Sequence, residues 1–175
     1  MNKTILFSSL VLLAAGCASQ HSTRPAVQVP SALNPGAGEM LMLVVSARGQ
    51  QIYECREKKE QAGAYDWAFV APEAELFDGS GKKIGKHYAG PSWEAADGSK
   101  IVGKVKQLAA APDAASIPWL LLEAKSAGND GAFSKVTSVQ RVATAGGVMP
   151  PNGCSVAGMR VGVAYTADYY FYTAR

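Results

Sequence analysis

The chain has 175 residues, a formal charge of +3, 48% hydrophobic residues and 18% charged residues. That length holds one domain with a real core and seldom two, and the ordinary apolar share excludes disorder over most of it. So small a net charge sets up no field that would hold nucleic acid or anionic lipid by charge alone.

The first element is a leader. Lys3 gives it a positive start, Ile5 to Ala15 form an apolar run, and Leu12-Leu13-Ala14-Ala15-Gly16-Cys17 closes it with small residues before a cysteine. The run is shorter than the roughly 20 residues that a lone spanning helix needs. The layout resembles a bacterial lipoprotein signal. That resemblance implies that residues 1–16 are removed and that Cys17 becomes an acylated amino terminus, so that the membrane is a partner through a lipid anchor. Ala18 in place of an aspartate implies, by the same resemblance, the periplasmic face of an outer membrane. The mature chain would keep 159 of the 175 residues, and its charge would fall to +2 because only Lys3 leaves.

Of three cysteines, one is then the lipidation site, and Cys55 and Cys154 remain as a pair in an oxidising compartment. A disulfide between them is expected, with two buried free thiols as the other possibility.

Residues 17–38 follow as the acylated cysteine and a flexible tether. They carry Pro25, Pro30 and Pro35, are rich in Ala, Ser and Gln, and show no hydrophobic period. His21 and Arg24 fall within this stretch.

From residue 39 to 175 the pattern is that of strands. Met40 to Ala47 and Gln50 to Glu54 flank Arg48-Gly49 and suggest a hairpin, with Cys55 on the same face as Tyr53. Further strands are expected over Trp67 to Val70, Glu73 to Phe77, Lys82 to His87 and Ile101 to Val105. Turns fall at Asp78-Gly79-Ser80-Gly81 and Asp97-Gly98-Ser99. Ile117 to Ala124 is apolar without alternation and reads as a strand buried on both faces, although a short core helix also fits. Phe133 to Ala143 alternates and is rich in β-branched residues. In the last run, Tyr165 to Thr173, Tyr169 and Phe171 face one side and Tyr170 and Tyr172 the other. Trp67 and Trp119 sit in apolar runs and are assigned to the core. The fold class is all-β, a single-domain β-sandwich or small β-barrel of about ten short strands. A membrane-spanning barrel would instead require apolar residues facing lipid along every strand.

Chemistry in the folded part is restricted, because only His87 can supply an imidazole there. No two-histidine metal site is available and no structural zinc is expected. There is no Gly-x-Ser-x-Gly elbow. Gly79-Ser80-Gly81-Lys82-Lys83 lacks the spacing, the hydroxyl and the helix of a phosphate loop, so neither a nucleotide nor any other cofactor is expected. The densest polar and aromatic stretch runs from His87 to Lys100. Gly90-Pro91 turns the chain there and sets His87 and Tyr88 beside Trp93 and Glu94, with Asp97 close by. These five residues form the candidate ligand-binding rim, suited to stacking on a sugar or gripping a peptide. The competing assignment puts Trp93 in the core, His87 on a backbone group, Glu94 on a lysine and Asp97 on its own turn. Arg141 reads as part of a solvated strand face, with ligand binding as its other possible role.

The strings Ala71-Pro72-Glu73-Ala74-Glu75-Leu76-Phe77-Asp78 and Ile84-Gly85-Lys86-His87-Tyr88-Ala89-Gly90-Pro91-Ser92-Trp93-Glu94 carry a resemblance. So do Ile117-Pro118-Trp119-Leu120-Leu121-Leu122, Gly153-Cys154 and Tyr165-Thr166-Ala167-Asp168-Tyr169-Tyr170-Phe171-Tyr172. Together they resemble an exported bacterial and fungal family known only as a domain of unknown function. The resemblance runs from about Gly49 to the end and implies no activity, cofactor or active site. Some fungal relatives carry a malate dehydrogenase label, but this chain has neither the βαβ pattern nor the nucleotide loop of such an enzyme.

The function expected from these readings is a lipid-anchored envelope protein whose β-domain binds a carbohydrate or protein without catalysis. An envelope enzyme using Glu94, Asp97 or His87 as acid or base is the alternative, and a purely structural interaction domain is a third.

Overall fold

The computed structural model describes residues 27–175; the leader, Cys17, His21 and Arg24 lie outside the described residues. Eight antiparallel strands follow in chain order, and the last closes on the first to form a barrel. They are β1 (Glu39–Glu57), β2 (Tyr65–Phe77), β3 (Lys83–Tyr88), β4 (Ser92–Ala95), β5 (Lys100–Ala109), β6 (Trp119–Ser126), β7 (Val136–Gly146) and β8 (Arg160–Ala174). The all-β reading holds, and the barrel is the form it takes.

The strands number eight and not about ten, because two expected breaks lie inside long strands. Arg48-Gly49 is no turn: Gly49 pairs with Ala74 on one side and Tyr165 on the other. A Cβ on Gly49 would stand 2.0 Å from the Glu73 carbonyl oxygen, so the missing side chain admits a close neighbouring strand and does not reverse the chain. Pro72 is tolerated within β2 because pairing with β3 begins only at Ala74, which leaves the edge at Pro72 without a strand to receive its missing N–H.

Alternation then fills the barrel. Val45, Leu76, Trp93, Ile101, Leu122 and Phe171 point inward and form one buried cluster. Glu73, Glu75, Lys86, Lys104 and Glu123 stand exposed on the outer wall. Apolar inside and charged outside is the reverse of a barrel that spans a bilayer. One end is closed by the turns at 78–82, 96–99 and 127–135, where Phe133 plugs the interior with its ring 4.9 Å from that of Phe171.

The other end carries the connections 58–64, 89–91, 110–118 and 147–159. The disulfide Cys55–Cys154 ties the longest of these to β1 across a Cα separation of 5.8 Å. Trp67 is not a core residue. It is partly exposed on β2, and its indole donates to the Asn152 carbonyl in the same connection.

Residues 27–38, expected to belong to the flexible tether, instead form a strap along the outer wall. A single 3-10 turn, Ser31–Leu33, drives Leu33 into full burial against Trp119, Leu121 and Val142, with Val27 and Val29 beside them. The Gln140 amide donates to the Leu33 carbonyl at 2.7 Å. The strap gives β6 its two buried faces, since Trp119 and Leu121 lie beneath it while Leu122 faces the barrel interior. Trp119 is therefore buried as expected, but outside the barrel.

Candidate functional site

The strands are unequal, and that inequality makes the site. β3 and β4 form a short hairpin because Gly90, at a φ of 133° that favours glycine, turns the chain into Pro91. β4 pairs with β5 only through Lys100, Ile101 and Val102. Above the hairpin, residues 65–73 of β2 and 104–109 of β5 continue without a strand between them. The wall is notched there, and a cavity of about 500 Å³ opens through the notch.

Trp93, His87 and Tyr169 line the cavity and are almost fully buried. Leu120, Leu122, Ile117 and Pro118 form one flank, and Phe69, Pro72 and Val105 another. A bulge in the β1–β2 register between Ile52 and Tyr53 makes Phe69 the partner of Tyr53, whose ring it meets edge-on at 5.9 Å. Phe69 and Val105 nevertheless remain half exposed at the opening, and Leu108, opposite Leu120 in the register, is 66% exposed. A mouth rimmed by apolar side chains and leading to a largely apolar interior has the form of a small-molecule site.

Few polar groups reach this interior. The His87 Nδ1 lies 2.8 Å from the Ser92 carbonyl, which can only accept, so Nδ1 carries the proton. Burial pushes the His87 pKa down to about 3, and the ring is neutral at physiological pH. Burial also raises the Tyr53 and Tyr169 hydroxyls above their ordinary value. The Tyr53 hydroxyl donates to the Gly147 carbonyl at 2.7 Å. Arg141 lines the cavity, and its Nε and one terminal nitrogen both donate to the Pro118 carbonyl. The Trp93 Nε1 is buried and has no hydrogen-bond partner among the described residues.

The five rim residues expected from sequence are not brought together. His87 and Trp93 are cross-strand partners facing inward, with rings stacked 4.4 Å apart. Tyr88 and Glu94 alternate to the outer wall, where the phenol donates to the carboxylate at 2.6 Å and Lys86 approaches it at 3.1 Å. The Tyr88 bond and then Lys86 hold the Glu94 carboxyl below its usual range. Asp97 sits at the closed end. One of its oxygens accepts from the Ser99 amide and hydroxyl, and the other accepts from the Ala132 amide, which fixes the loop that carries Phe133. The Ser99 hydroxyl and these amides hold Asp97 below its usual range as well. Glu94, Asp97 and His87 thus face three different places, and neither carboxyl is poised to give up a proton near neutrality.

Sequence reading placed Gln51, Tyr53, Leu120 and Tyr169 in strands but not in the site, and left Arg141 between two roles. The missing signal was register: once β1 is one strand, Ala47, Gln51, Tyr53 and Cys55 fall on a single inward face and are all buried. Among the described residues, no group of three His, Cys, Asp or Glu side chains is placed to hold a metal ion.

A family model described as "Protein of unknown function (DUF3455)" matches residues 35–173 of the chain. Neither the curated proteins nor the solved structures contain a significant match.

Proposed function

The chain belongs to the DUF3455 family, whose description carries no activity, and from the chain's own geometry we propose that it is a binding protein that takes a small apolar ligand into the mouth of its barrel without chemistry. The observation that carries this is the cavity of about 500 Å³ beside the shortened β3–β4 hairpin. Its size falls in the range of small-molecule sites, and eight-stranded barrels have room inside for side chains or for one small ligand. The binding role expected from sequence is kept, but its place moves from the turn rim to the interior, with His87 and Trp93 the only rim residues that go with it.

We also propose that the protein works on the periplasmic face of an outer membrane, held by lipid at Cys17. The leader that ends at Cys17 supports this, and a disulfide between Cys55 and Cys154 suits an oxidising compartment.

A ligand that binds only the folded state raises the melting temperature by mass action. The test is a thermal-shift screen of small apolar compounds on the full chain and on Leu120→Trp, in which the larger ring occupies the cavity. Compounds that stabilise the unmodified chain and leave Leu120→Trp unmoved support the reading. Stabilisation of both alike, or of neither by any compound, overturns it.

A further inference from the structure

The cavity is charged in one sense only. Among the described residues, Arg141 is the single formally charged side chain that lines it, and no aspartate or glutamate does. No salt bridge among the described residues includes Arg141, whose bonds go to the neutral Pro118 carbonyl and to the Tyr169 hydroxyl. Its positive charge reaches His87, Tyr53, Tyr165 and Tyr169, the groups clustered around the interior. His87 adds no second charge, because burial keeps it neutral.

A partly exposed guanidinium at the edge of a largely apolar cavity is matched by an anionic oxygen group, which it binds with charge-assisted hydrogen bonds. Around the opening, Phe69, Val105 and Leu108 offer exposed apolar surface to the rest of such a molecule.

We infer that the ligand is an amphiphilic carboxylate, its head group against Arg141 and its hydrocarbon along Leu120, Leu122, Val105 and Phe69. The inference rests on the binding reading above and names the ligand class of the same site. Charge decides between amphiphiles of equal length, because the apolar wall contributes alike to all of them.

The test compares three ten-carbon probes on the full chain in lipid nanodiscs, by isothermal titration with empty nanodiscs subtracted. They are decanoate, decanol and decyltrimethylammonium. Decanoate is expected to bind at least tenfold more tightly than decanol, and the ammonium compound most weakly. In Arg141→Met the decanoate advantage over decanol disappears, and Arg141→Lys restores part of it. Equal binding of decanoate and decanol by the unmodified chain overturns the carboxylate inference and leaves the cavity reading standing. Failure of all three to bind overturns both. The comparison within the unmodified chain decides the matter even if Arg141→Met fails to fold.

Discussion

His87 and Trp93 face each other across the β3–β4 hairpin, with ring centroids 4.4 Å apart and planes 14° from parallel. The stack forms part of the cavity wall, and Tyr169 meets both rings edge-on at 5.1 and 5.5 Å. A neutral imidazole suits this place, because a proton on Nε2 would put a charge beside a cavity that no carboxylate among the described residues lines.

Acid should therefore weaken the fold through His87. Its pKa falls from 6.5 in the unfolded chain to about 3 when folded. Below about 6.5 the unfolded chain binds a proton that the native chain refuses. Stability is complete above that pH and falls by roughly 1.4 kcal/mol per pH unit on the way down. Urea unfolding between pH 7 and pH 5 is expected to show this slope in the unmodified chain and to lose it in His87→Phe. An unmodified chain with a flat profile over this range counts against the buried neutral imidazole.

Trp93 owes its seat to a missing side chain on the next strand. A Cβ on Gly103 would lie 2.8 Å from the edge of the Trp93 ring and 3.1 Å from Leu122. Gly103→Ala is expected to cost about 1 to 3 kcal/mol by overpacking. It should also shift the tryptophan emission, which chemical denaturation followed by fluorescence reads together with stability.

Leu33 anchors the strap with no exposed surface. Leu33→Ala should destabilise the chain by about 2 to 5 kcal/mol, the usual range for a buried leucine. Hydrogen exchange is expected to speed up at Trp119, Leu121 and Val142, and to stay unchanged at the closed end near Phe133. Uniform loss of protection would mean that the strap is not a separate layer.

The disulfide closes a loop with a sequence separation of 99. In the chain-entropy model a loop of about 100 residues is worth up to roughly 4 to 5 kcal/mol. Cys154→Ser is expected to lower the urea midpoint accordingly and to raise proteolysis within 147–159. Intact mass before and after reduction and alkylation should report one bridge.

The alternation of Tyr169 and Phe171 against Tyr170 and Tyr172 was legible because β8 has an apolar face within the barrel and a second apolar layer outside it. The double burial of β6 was legible as well, from the unbroken run of Leu120, Leu121 and Leu122. What covered its outer side was not, since the strap's Val27, Val29 and Leu33 are scattered among prolines and follow no period. The five-residue rim failed for a different reason. Proximity along the chain set Tyr88 and Glu94 beside His87 and Trp93, but a strand sends neighbours to opposite faces. Arg141 stayed ambiguous because polar neighbours such as Gln140 suggest a wet face, whereas Gln140 is buried beneath the strap. The cavity itself depends on where β3 and β4 stop relative to β2 and β5, a difference of strand lengths that no single segment displays.

Because the strap is bound to the barrel wall from Val27 onward, residues 27–38 add nothing to the reach of a chain anchored at Cys17. With the lipid at Cys17 proposed above, the direction in which the barrel's mouth points would be set by where Val27 is fixed on the wall.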